Sequence, residues 1–119
     1  METLQGILEN ISDPYAFLNQ ISRLPILTRE KELSCAVRMD AGDPTARDEL
    51  ILGYLPFMAA PIRRLNLWLQ TPELLMQCYN ALQKTVNKFN FHQNGEKFSH
   101  YLSRWIRQTI TAYIVNSTR

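Results

Sequence analysis

Five side chains on one face of the last helical stretch have the chemistry of a nucleic-acid contact. Tyr101, Arg104, Trp105, Gln108 and Thr111 recur at spacings of three and four, the repeat of a helix face. Aromatic rings stack on unpaired bases, arginine neutralises phosphate, and a glutamine amide pairs with base edges. The segment from Lys97 to Arg119 holds four basic residues and no acidic one. A second stripe, Leu102, Ile106, Thr109, Ile110 and Tyr113, lies roughly 140° around the helix and would pack on a core. An ordinary amphipathic helix with a basic surface has the same composition, so composition alone leaves both readings open.

Other site chemistries find little support. There is no carboxylate pair at useful spacing, no nucleophile beside a base and no glycine-rich phosphate loop, so an enzyme is not expected. His92 and His100 stand eight apart across a turn, and two histidines alone make a weak metal site. Neither a metal nor another cofactor is expected, and His92 reads as a solvated turn residue. Cys35 and Cys78 lack metal-ligand spacing and read as reduced packing residues of a cytoplasmic protein. No apolar run approaches membrane-spanning length, and Met-Glu-Thr-Leu-Gln lacks the basic start and apolar block of a signal peptide.

The chain of 119 residues suits one domain with a real core, at 45% hydrophobic and 20% charged residues. Its net charge of +2 hides an asymmetry. Residues 1–59 carry five Lys/Arg and nine Asp/Glu, whereas residues 60–119 carry eight and two. The second half is the candidate polyanion surface. The modest total argues against tight non-specific DNA binding, because affinity follows the number of phosphates neutralised.

The elements that must position these groups read as helices throughout. Asp13-Pro14 caps and opens a helix to about Arg23, with Phe17, Leu18 and Ile21 apolar. Thr28 caps the next, with Glu30 and Glu32 in the first turn and Leu33, Ala36 and Val37 facing inward. Gly42 stops it, and Asp43-Pro44 opens a third helix to about Leu69, which Pro56 and Pro61 should kink or interrupt. Thr71-Pro72 starts a fourth, ending near Phe89, with Leu74, Leu75, Tyr79, Leu82 and Val86 apolar. A polar turn, residues 90–95, precedes the last helix. No alternating run suggests strands. The expectation is an all-α, compact bundle of about five helices.

Two motifs carry a family resemblance. Phe98-Ser-His-Tyr101, then Trp105-Ile-Arg-Gln108-x-Ile110-Thr111, is similar to regions 2.3 and 2.4 of bacterial RNA polymerase sigma factors of the primary family. Those regions typically read Lys-Phe-Ser-Thr-Tyr-Ala-x-Trp-Trp-Ile-Arg-Gln-Ala-Ile-Thr-Arg. Upstream, Tyr15 through Leu33 and Ala41-Gly-Asp-Pro-x-Ala-Arg-Asp-Glu-Leu50 resemble region 1.2. Together the motifs span roughly residues 13 to 119, so the whole chain reads as a single region 1.2/region 2-like domain.

The resemblance implies two surfaces and no covalent chemistry. One surface docks on the clamp helices of the polymerase largest subunit. The other captures the non-template strand of the promoter −10 element as the duplex opens. Phe98 and Tyr101 fall where the family places aromatics around the first flipped base. Trp105 falls at the second position of a tryptophan pair that wedges against the upstream fork. Gln108 and Thr111 match positions that read the most upstream base pair, and Arg107 matches a basic residue between them. Lys97 and Arg104 complete the implied DNA set. The implied polymerase set is Glu73, Leu74, Met76, Gln77 and Asn80, where the family reads Asp-Leu-Ile-Gln-Glu-Gly-Asn-Ile-Gly-Leu. The chain departs from the family there, since its acidic-glycine core is absent. Arg104 also replaces the first tryptophan of the pair, His100 a threonine and Ala112 an arginine. Two functions therefore stand. The first is a sigma-like domain that binds polymerase and melts −10 DNA. The alternative is a diverged sigma-like module that binds polymerase, an anti-sigma factor or another regulator without melting DNA.

Overall fold

The computed structural model describes residues 3–93 and 95–117. Six α-helices form: α1 (Leu4–Leu8), α2 (Pro14–Ser22), α3 (Arg29–Asp40), α4 (Pro44–Arg63), α5 (Pro72–Lys88) and α6 (Phe98–Ser117). A 3-10 turn covers Leu67–Leu69, and there is no strand among the described residues. The fold is all-α, as the sequence predicts.

Local chemistry starts the helices where it should. The Asp13 carboxylate accepts the Ala16 N–H at 3.2 Å, and the Thr28 hydroxyl accepts that of Lys31 at 3.2 Å. Asp43 accepts from Thr45 at 2.9 Å and Thr71 from Leu74 at 3.2 Å. Each cap satisfies a donor that the first turn leaves orphaned. Proline follows the cap in α2, α4 and α5, where its fixed φ suits the first helical position. Gly42, at φ +93°, makes the reversal between α3 and α4.

Helix α4 is the central element, packed against α2, α3, α5 and α6. It continues without interruption through Pro56 and Pro61, and it ends at Arg63 rather than at the expected Leu69. A proline in a helix interior costs about 3 kcal/mol through its missing donor and steric clash. Leu50, Ile51, Leu55, Met58, Ala59 and Ile62 are fully buried around the two prolines. Full burial of each larger side chain contributes about 1.5–3 kcal/mol, so packing outweighs local propensity. At Gly53 a Cβ would stand 2.3 Å from Leu27 Cγ, so the α2–α3 connection packs directly onto the α4 backbone.

The expected bundle of about five helices is observed with one more helix at its start, and one expectation is corrected, at Val37. Helix α1 precedes the helices that the sequence outlines. It is one short turn capped by Thr3, whose hydroxyl accepts the Gly6 N–H at 3.0 Å, and it is held by burial of Leu4 and Ile7. Val37 does not face inward but is 58% exposed. Glu32 takes an inward position instead, because two donors compensate its charge: the Tyr54 hydroxyl donates to one carboxylate oxygen and Arg29 pairs with the other. Burial and this hydrogen bond push the Tyr54 phenol up. Arg29 also donates to the carbonyls of Phe91 and Gln93, both at 3.4 Å. His92 Nε2, on the same connection, lies 2.7 Å from Asp40 Oδ2 and is thus a tether to α3. The α5–α6 connection is held against α3 by both contacts.

Candidate nucleic-acid interface

A ladder of aromatic rings runs from the core to the surface and sets the interface. Tyr54 meets Phe98 edge-on at 4.6 Å, and Phe98 meets Phe91 at 4.9 Å. Phe91 contacts Phe89 at 5.1 Å, and Phe89 contacts Tyr101 at 5.2 Å. Tyr101 then meets Trp105, one helical turn further along α6, at 6.5 Å. Offset and edge-on ring pairs are the favoured geometries, so each ring is oriented by the one beneath it. Trp105, 41% exposed, ends the ladder in solvent.

Tyr101 and Trp105 form one side of a groove of about 370 Å³ between α5 and α6. Lys84 and Lys88 of α5 line the opposite side, with Gln77 and Asn80 further along. The two lysines are four apart, which places their ammonium groups over one helix face. Sequence reasoning missed them. The signal was available, since they lie opposite the apolar side of α5. Rings on one wall and cations on the other can hold a base by stacking and its phosphate by charge.

The structure divides the expected DNA set. Tyr101 and Trp105 share the groove, while Gln108 and Thr111 are exposed further along α6. Arg104 lies over the Tyr101 ring, 5.7 Å from its centroid, and pairs with Glu96 through two nitrogens, Nη2–Oε2 being 3.2 Å. Arg107 points elsewhere, into a hollow shared with Arg64, Phe57, Pro61 and His100. Lys97 is exposed beside a third hollow with Arg29 and Tyr54. Phe98 is corrected: at 2% exposure it is a core ring, and no base can reach its face in this conformation. The expected polymerase set needs one similar correction. Leu74 is fully buried, because it falls on the apolar side of α5, whereas Glu73, Met76, Gln77 and Asn80 are exposed.

Neither cysteine lines this groove. Cys35 and Cys78 are free and buried. Burial pushes the Cys35 thiol up to about 11, helped by its hydrogen bond to Glu49, and that of Cys78 up to about 12. Both are protonated at neutral pH and poor nucleophiles. Among the described residues no three His, Cys, Asp or Glu side chains gather to hold a metal ion. No helix of the described residues is long and apolar enough to cross a membrane.

The fold is all-helical among the described residues, and rings, lysines and amides line an open groove between α5 and α6. Comparison with known proteins adds the following likenesses. Residues 16–45 match the family described as Sigma-70 factor, region 1.2, and cover most of α2, all of α3 and the start of α4. The chain is 34% identical over 111 residues to the RNA polymerase sigma factor SigA of Listeria monocytogenes. The same figures hold for SigA of Listeria innocua and of Clostridium acetobutylicum. Each alignment covers 92% of this chain and 29% of the relative. The chain is thus similar to these sigma factors and spans under a third of their length. No solved structure matches it significantly.

Proposed function

We propose that this chain acts in transcription initiation as a sigma-like domain. It binds the non-template strand of the −10 element along the α5–α6 groove and RNA polymerase core through the exposed face of α5. The observation that carries this reading is Trp105, exposed beside Tyr101 and facing Lys84 and Lys88 across a groove. Flipping a base out of the stack costs a few kcal/mol. Stacking on a ring returns about 1–3 kcal/mol per base, so two rings offset one or two flips. The lysines hold the backbone while the rings hold the bases. Gln108 and Thr111 supply hydrogen-bonding groups for base edges further along the same helix. Glu73, Met76, Gln77 and Asn80 form the polymerase-facing set. Gln77 and Asn80 also line the groove, so the two surfaces meet on α5.

A second reading is favoured by Arg104. It occupies the position of the first tryptophan in the family's pair and is already paired with Glu96. A charged, paired side chain does not insert as a flat apolar ring does, which favours a module that binds without opening the duplex. The experiment separating the two is promoter opening with core polymerase, read by permanganate reactivity of unpaired thymines. Opening by the wild-type chain supports the first reading. Core binding without opening, restored by Arg104→Trp, supports the second. Failure to bind core polymerase at all removes both.

A further inference from the structure

Arg104 is held on two sides. Its guanidinium covers the Tyr101 ring at 5.7 Å, and two of its nitrogens face the Glu96 carboxylate. Glu96 is one of only two acidic residues between residues 60 and 119, and its pair with Arg104 places it beside Tyr101 at the edge of the candidate groove. A carboxylate there opposes a polyanion. It also offers the guanidinium the same two-oxygen partner that a phosphate does. One guanidinium edge cannot satisfy both, and while it pairs with Glu96 it covers one face of Tyr101.

We propose that Glu96 is a specificity-determining residue that holds Arg104 in reserve. The proposal rests on the nucleic-acid reading above. A strand gains Arg104 only by exchanging its carboxylate partner for a phosphate, and that exchange uncovers the Tyr101 ring for stacking. Binding driven by charge alone is thereby suppressed, because a bare phosphate contact must displace an existing pair. A base that stacks on the uncovered ring adds what the exchange lacks. Trp105, Lys84 and Lys88 stay available throughout.

The test compares the full chain with Glu96→Gln, Arg104→Gln and the double variant. Each is titrated with a labelled single strand of scrambled sequence at several salt concentrations. Arg104 is exposed and Glu96 half-buried, so circular dichroism melts verify the fold of each variant. Glu96→Gln should bind more tightly, and its log K against log salt should steepen by about 0.7, the increment of one further phosphate contact on a single strand. Arg104→Gln should not steepen the slope as Glu96→Gln does, and the double variant should lose the gain. Unaltered or weaker binding by Glu96→Gln overturns the proposal. So does a gain that survives in the double variant, which would mark a general charge effect. The Arg104 Nε–H NMR signal of the free protein gives a readout without DNA, and it should move in Glu96→Gln. If it does not move, the pair is not formed in solution and the proposal falls. If it moves but no variant binds any strand at low salt, the nucleic-acid reading falls and takes the proposal with it. Strand binding by wild type with an unchanged Glu96→Gln slope removes the proposal alone.

Discussion

Phe98 and Trp105 lie on the same helix and have opposite fates. Phe98 is 2% exposed and touches Tyr54, Phe89, Phe91 and Tyr101, whereas Trp105 is 41% exposed. Phe98→Ala should destabilise by about 3–5 kcal/mol, as for a buried aromatic, and lower the urea midpoint accordingly. Trp105→Ala should leave the midpoint nearly unchanged and weaken strand binding by about 1–3 kcal/mol in anisotropy. A sharp loss of stability in Trp105→Ala would reassign it to packing. Tyr101 stands between, with one edge on Phe89, so its truncation should affect both readouts. The buried thiols make a pH prediction. Unfolded Cys78 loses its proton near 9.0, while folded Cys78 keeps it to about 12. The unfolded state therefore binds fewer protons above that lower value, and stability falls as pH rises. Tyr54 shifts in the same direction. The urea midpoint should drop between about pH 9 and about pH 12, and Cys78→Ala should flatten that drop.

At the scale of elements, the helix starts were legible because a cap is a local device. Asp13, Thr28, Asp43 and Thr71 each bond to a donor two or three residues on, and the sequence states that spacing directly. What was not legible depends on distant partners. Helix α4 crosses two prolines because other helices bury it. Glu32 turns inward because Tyr54 lies 22 residues away. Tyr101 and Trp105 could be placed on α6 by periodicity, but the lysines opposite them needed the packing of α5 on α6. The pairing of Arg104 with Glu96 needed the fold of the connection before α6. Three substitutions test the packing account. Pro61→Ala should raise stability by on the order of 1 kcal/mol, restoring a donor against the lost stiffness of the unfolded chain. Gly53→Ala should lower it by about 1–3 kcal/mol, because its Cβ meets Leu27. Leu27→Ala should relieve part of that loss in the double variant, as expected of a contacting pair.

For the whole molecule, the proposed function requires a chain of net charge +2 to select a polyanion. Its cations are concentrated in the second half, and the groove joins two of them to two rings. Stacking and hydrogen bonding should therefore contribute a larger share of binding than charge, and affinity without polymerase should be weak. Sequence selectivity is the central claim, because a basic amphipathic helix would bind any strand alike. The direct measurement is an anisotropy titration of the chain against labelled single strands of equal length, at several salt concentrations. One carries the non-template −10 element, one its complement and one a scrambled sequence. The expected result is tighter binding of the non-template strand, with the preference retained as salt rises because stacking is not screened. Equal affinity for all three strands would contradict sequence readout by the α5–α6 groove.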